Sequence, residues 1–179
     1  MTEPHRYAVF LRGINVGGIN IRMADLKACL SEGPFRNVNT LLATGNVILD
    51  ADSGPEAVKK ACEDALRARF GYDAWVIVTD RDEIDRIVEA TPYPADDPEQ
   101  HSYVTLASDP TVLDSLIEAA SALGPTGIVR LTPGAIATQV AVGSSTDAPV
   151  SKLMARAAYK PYTTTRNLRT LLKVQAALS

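Results

Sequence analysis

The sequence predicts an α+β protein of two side-by-side ferredoxin-like units of the βαββα type with a C-terminal helix. Three observations predict it. The order of strand and helix signals in the first half starts again near residue 100. Between the halves lies Thr91-Pro92-Tyr93-Pro94-Ala95-Asp96-Asp97-Pro98, with three prolines in seven positions. Finally, His5-Arg6-Tyr7 is echoed by His101-Ser102-Tyr103 at an offset of 96. The domain reading is therefore 1–91 as an N-terminal βαββαβ unit with a connecting helix, 92–98 as linker, and 99–179 as a C-terminal βαββα unit plus a final helix.

Each element has a local reason. Tyr7 to Leu11 is an apolar, β-prone run that ends at Arg12-Gly13. A loop rich in Gly and Asn follows, and then a short helix with Leu26, Cys29 and Leu30 on one face, stopped by Gly33-Pro34. Residues 37–43 and 46–50 read as two strands joined at Thr44-Gly45. Pro55 opens a helix with the stripe Val58, Ala61, Cys62, Ala65 and Leu66, and Gly71 lies just past its end. Trp75 to Thr79 is a strand, and Asp80-x-x-Glu83 forms a capping box for a helix buried through Ile84, Ile87 and Val88. Beyond the linker, 101–106 is a strand and Pro110 opens a helix carrying Leu113, Leu116, Ile117, Ala120 and Leu123. A hairpin of 128–131 and 136–142 turns at Pro133-Gly134. Helices are expected at about 149–159 and 167–178.

Composition excludes several classes. With 46% hydrophobic and 22% charged residues the chain is neither disordered nor fibrous. At 179 residues it can bury roughly 70% of its unfolded surface and needs no disulfide or structural metal. No apolar run approaches the ~20 residues that cross a bilayer. The first residues carry no small-residue cleavage site, and two cysteines without metal spacing suit a reducing cytoplasm, so a cytoplasmic protein with no membrane partner is expected.

The net charge of −3 conceals a segregation. Residues 25–147 hold nine basic and twenty acidic side chains, whereas 1–24 and 148–179 hold nine basic ones and a single acid, Glu3. An electropositive face for an anionic ligand is one reading, provided the two ends meet; a solvated basic helix is the other.

The most unusual segment is Leu11-Arg12-Gly13-Ile14-Asn15-Val16-Gly17-Gly18. Its glycines permit positive φ and let backbone N–H groups converge on a ligand, although a tight turn needs the same residues. It is neither a Walker A loop nor a dinucleotide fingerprint, for no Gly-Lys-Ser/Thr ends it and the spacing is G-x-x-x-G-G. Thr44-Gly45-Asn46-Val47 sits at a hairpin, where Asn and Gly are expected anyway. Thr163-Thr164-Thr165-Arg166-Asn167 is read as the start of the last helix, with a threonine cap. An arginine in a first helical turn opposes the dipole by about 0.3–1 kcal/mol, so Arg166 is either a tolerated misfit or a donor aimed at an anion, partly solvated in the free protein. Ser151-Lys152 adds a hydroxyl and a cation on the preceding helix.

These four segments, the last as Thr164-Thr165-Arg166-Asn167, together resemble the bacterial domain-of-unknown-function family DUF1697, and their order covers essentially the whole chain. Thr44 stands where that family usually has Ser, and Leu168-Arg169 replace its usual Trp-Asn. The resemblance implies a compact two-part α+β protein and brings no activity or catalytic residues.

The inventory for catalysis is thin. His5 and His101 begin strands with no Ser or Cys motif nearby, and no His/Cys/Asp/Glu set has metal-ligand spacing. Cys29 and Cys62 fall on inner helical faces as inert thiols. Asp80, Asp82, Glu83 and Asp85 mark a helix start, Trp75 is a core residue, and the neighbours Ser151 and Lys152 point about 100° apart. No cofactor and no metal is expected. The expected function is binding of a phosphate-bearing small anion, a nucleotide or nucleic acid through Arg12, Gly13, Asn15, Gly17, Gly18, Thr44, Asn46, Lys152, Thr165, Arg166 and Asn167. Two alternatives stand: an enzyme on a phosphorylated small molecule working by electrostatic positioning, or motifs that only satisfy backbone and lock the halves together.

Overall fold

The computed structural model describes residues 3–12, 19–124, 127–143 and 149–179. Two compact units make up the chain: Met1–Glu83 with Lys173–Ser179, and Ile84–Leu172.

The first unit runs β1 (His5–Leu11), α1 (Met23–Ser31), β2 (Arg36–Leu41), β3 (Asn46–Ala51), α2 (Pro55–Phe70) and β4 (Val76–Asp80). The strands form a sheet of order β2-β3-β1-β4, antiparallel throughout, which is the ferredoxin-like arrangement. Strand β1 is buried from Tyr7 to Leu11 without a break, so both of its faces are covered and its sequence is apolar rather than alternating. Tyr7, Val9 and Leu11 pack with Leu26 and Leu30 of α1 and with Val58, Cys62 and Leu66 of α2. Helix α2 has Pro55 in its first turn and ends at Gly71, whose φ of 67° is the left-handed cap a glycine adopts without strain. A polar latch ties it to β4. Lys59 donates to the Val76 carbonyl at 2.8 Å and to Glu63, while the Val76 N–H donates to Glu63 Oε1 at 3.3 Å.

Helix α3 (Arg81–Ala90) starts as the capping reading requires, with the Glu83 N–H donating to Asp80 Oδ1 at 2.9 Å. The second unit then runs β5 (Gln100–Ala107), α4 (Pro110–Ser121), β6 (Val129–Thr132), β7 (Ala135–Ala141), α5 (Pro149–Met154) and β8 (Thr163–Asn167), followed by α6 (Leu168–Ala177). Its sheet order is β6-β7-β5-β8, again antiparallel. Leu113, Leu116, Ala120, Ile136, Val150 and Leu153 form its helix-side core.

The repeat extends to register. Tyr7 faces Leu49 and Asp80 across its two neighbours; Tyr103 faces Thr138 and Asn167. Leu11 faces Val76 as Ala107 faces Thr163. The α+β class, the two units and the C-terminal helix are as the sequence predicts. Three local readings are corrected. The strand at 37–43 spans Arg36–Leu41 instead and ends where Leu42 turns the backbone left-handed, with a φ of 59°. The helix at 149–159 stops at Met154. Most consequential, Thr163–Asn167 is a strand, not a helix start: three successive β-branched threonines favour extended backbone, and pairing with β5 secures it.

Candidate functional site

The internal repeat acts as a control for what the fold itself requires. In the second unit, β5 passes to α4 through Ser108 and Asp109 alone, and β6 turns into β7 through Pro133 and Gly134. In the first unit, the corresponding connections are residues 12–22 and Leu42–Gly45. Both extensions leave the same end of the first sheet, since the Leu11 N–H donates to the Gly45 carbonyl at 2.9 Å. The equivalent bond in the second unit joins Ala107 N–H to Gly134 O, also at 2.9 Å. A ferredoxin-like unit therefore closes without the extra residues that the first unit carries at this end.

Arg12 stands at the base of the longer extension. Its N–H donates to the Trp75 carbonyl at 3.0 Å, anchoring it to the entry of β4. The side chain is half-buried, and that burial lowers the guanidinium below its ordinary pKa. Gly13, Asn15, Gly17 and Gly18 lie outside the described residues.

The four-residue turn is held from below by Asn46. This side chain is fully buried, and its Nδ2 donates to the Leu41 carbonyl at 2.9 Å and to Thr44 Oγ1 at 2.8 Å. The residue in the same position of the second unit, opposite Leu106 as Asn46 is opposite Phe10, is Ala135. An amide thus appears where the long turn must be supported and is absent where Pro-Gly suffices. Thr44 is exposed at the surface of the turn, and Gly45 takes a φ of 79°. Leu42 was missed in the sequence reading. It is a left-handed, 45% exposed leucine at a hairpin tip, and the signal for it was Leu-Leu-Ala where polar turn residues are expected.

The second unit carries the remaining predicted residues. Arg166 is buried on β8, and its Nη1 donates to Thr164 Oγ1 at 2.6 Å and to the Thr165 carbonyl at 3.1 Å. The premise of a partly solvated arginine in a helical first turn is therefore overturned. Thr165 exchanges a hydrogen bond with the Thr105 hydroxyl at 2.8 Å, and the sulfur of Met154 lies 3.3 Å from the Thr105 hydroxyl. Asn167 Oδ1 accepts from the Arg169 N–H at 2.9 Å, so asparagine rather than threonine caps the last helix. Lys152 is exposed on α5. Arg12, Thr44 and Asn46 are thus brought to one end of the first sheet, while Thr165, Arg166 and Asn167 are consecutive on the edge strand of the second.

Other polar clusters are structural in form. Asp50 is buried and receives Arg6 Nε at 2.8 Å and Asn37 Nδ2 at 2.8 Å, and the arginine holds its carboxyl below the usual carboxylate range. Burial pushes the Cys62 thiol up to about 12, which removes it as a nucleophile at neutral pH. Among the described residues, no group of three or more His, Cys, Asp and Glu side chains could hold a metal ion, and no helix is long and apolar enough to cross a membrane.

The family model described as a protein of unknown function, DUF1697, matches residues 5–134, which includes both extended connections. The chain belongs to the DUF1697 family. Among solved structures, this DUF1697 protein is similar to the conserved bacterial protein SP0830 from Streptococcus pneumoniae, with a TM-score of 0.79 over 98% of this chain and 99% of that one. At 19% identity the likeness shows a shared fold alone. No curated protein matches the sequence.

Proposed function

We propose that this DUF1697 protein binds a phosphate-bearing anion at the end of its first sheet, with Arg12 as the cation of the site. The observation that carries the reading is the pair of extended connections at the end where Arg12 stands, which the second unit of the same chain does without. Extra chain at one end of a rigid sheet is where binding residues concentrate. The glycines that follow Arg12 in sequence suit a loop that offers N–H donors to an anion. A guanidinium whose charge is disfavoured by burial gains from an arriving anion more than a solvated one does.

Asn46 and Arg166 take different roles in this reading. Both are buried and spend donors on the protein itself, so they support backbone rather than face the ligand. The test is a thermal-shift titration of wild type and Arg12→Gln with inorganic phosphate, with chloride at equal ionic strength as control. Phosphate should raise the melting temperature of wild type and leave that of Arg12→Gln unchanged. Equal shifts in both proteins, or none in either, defeat the reading. If the phosphate belongs to nucleic acid, affinity for a short oligonucleotide also falls steeply with salt.

A further inference from the structure

The bond from the Arg12 N–H to the Trp75 carbonyl, at 3.0 Å, lies one step beyond the ladder pair of Leu11 and Val76. It extends the pairing of β1 with β4 by one residue on each side. Opposed residues of an antiparallel ladder project to the same face of the sheet, with Cα atoms about 5.5 Å apart in a bonded pair. Leu11, Ala74 and Val76 all belong to the core beneath the helices. Arg12 follows Leu11 and Trp75 lies between Ala74 and Val76, so the two share the opposite face. Trp75 is half-buried there rather than enclosed in the core as the sequence suggests.

The internal repeat again separates what the fold requires from what is added. In the second unit the same extension of the ladder joins the Ser108 N–H to the Tyr162 carbonyl at 2.9 Å. Tyr162 is 45% exposed, so this position carries its aromatic ring at the surface and not for the core. Ser108 supplies no cation. Of the two equivalent pairs, only that of the first unit sets an indole next to a guanidinium, and it does so at the end where the extended connections leave.

We infer that Trp75 is the stacking platform of the Arg12 site, so that the site takes a phosphate ester carrying a flat aromatic ring, the chemistry of a nucleotide. The inference rests on the reading of Arg12 as the phosphate's cation and adds what the rest of the ligand is. The guanidinium takes the phosphate, and the uncovered part of the indole offers a face on which a base stacks. Inorganic phosphate and sugar phosphates carry no ring to cover it and are the weaker ligands. Two sources share the required chemistry: a free mononucleotide, and a nucleotide within a single strand.

The experiment measures dissociation constants by calorimetry for ribose 5-phosphate, adenosine monophosphate and a short single-stranded oligoadenylate, with wild type, Arg12→Gln, Trp75→Leu and Trp75→Phe. Trp75 is the only tryptophan of the chain, so wild-type fluorescence reads its ring directly. Adenosine monophosphate should bind wild type roughly tenfold tighter than ribose 5-phosphate, within the range of a base stacked on an aromatic side chain. It should also quench the fluorescence, which ribose 5-phosphate leaves unchanged. Trp75→Leu should abolish the gain and keep the affinity for ribose 5-phosphate, and Trp75→Phe should keep most of the gain. If the oligoadenylate binds tighter still, with a steep salt dependence, the source is a strand; otherwise it is the free mononucleotide. Three results overturn the platform and leave the anion site standing, provided that ribose 5-phosphate binds wild type and not Arg12→Gln: no gain from the base, a gain that survives in Trp75→Leu, or wild-type fluorescence unchanged by saturating adenosine monophosphate. If none of these phosphates binds wild type, both readings fall together.

Discussion

Asp80 and Asn167 hold the same position in the two halves of the chain. Each ends the fourth strand of its sheet, each faces a tyrosine of the central strand, and each accepts a backbone N–H from the first turn of the helix that follows, both at 2.9 Å. The final helix is therefore the counterpart of the connecting helix α3, and the repeating unit is β-α-β-β-α-β-α.

Asn167→Ala should cost about 1 kcal/mol in a urea melt, the usual loss when an N-cap acceptor is removed, and Asn167→Asp should recover it. A cap also orients the chain entering α6, whose residues from Lys173 belong to the first unit. Loss of the cap should therefore weaken hydrogen-exchange protection in α6 before it weakens protection in β5. Uniform weakening in both would argue against a local cap.

Most of this architecture was legible in the sequence because it rests on strong local signals. Pro55 and Gly71 bracket α2, Asp80 and Glu83 open α3, and Pro133-Gly134 turns a hairpin. Strand β8 was not legible. Its five residues are four polar side chains and an arginine, without alternation of apolar and polar types, and only pairing with β5 makes them a strand. That single misreading carried into the site, since it turned Arg166 from a buried strand residue into a solvated helix residue. Leu42 was hidden for another reason: Leu41-Leu42-Ala43 reads as the apolar continuation of a strand, and the left-handed turn appears only when the backbone angle is known.

Arg166→Ala should destabilise the free protein by roughly 2–4 kcal/mol, because it strips donors from the buried Thr164 hydroxyl and the Thr165 carbonyl. Arg166→Lys should fall between, as one ammonium cannot reproduce the fixed fork of the guanidinium. Urea melts with and without excess inorganic phosphate check the assignment. A cost below about 0.5 kcal/mol in the free protein would return Arg166 to the ligand's side of the ledger.

The ion pair of Asp50 and Arg6 should make the first unit sensitive to acid. Arg6 holds the Asp50 carboxyl below its ordinary range, with Asn37 adding a second donor. A depressed folded-state pKa means that the unfolded chain binds the proton more readily. Its stabilisation is present above the unfolded value of about 3.9 and disappears as pH falls through the lower, folded value. Asp50→Asn should therefore be less stable than wild type at pH 7, by about 1–3 kcal/mol, and should lose less stability between about pH 4 and pH 2. Parallel acid titrations of the two proteins would show that Asp50 is not the titrating group.

Leu42 supplies the prediction that separates strain kept for use from strain without purpose. A non-glycine residue in the left-handed region costs about 1–2 kcal/mol, and at 45% exposure the side chain recovers only part of it by burial. Replacing Leu42 with glycine removes the steric penalty but adds freedom to the unfolded chain, worth about 0.5–1 kcal/mol in the opposite direction. The net expectation is a gain of about 0.5–1 kcal/mol in stability. Asn46 should set its size. In an Asn46→Ala background the turn loses the bonds to Leu41 and Thr44 that enforce its shape, so the backbone at 42 can relax and the gain from Leu42→Gly should shrink towards zero. A double-mutant cycle in denaturant reads this coupling directly. Additive effects would mean that Asn46 does not hold the strained turn, and a destabilising Leu42→Gly in the wild-type background would mean that Leu42 is a packing residue.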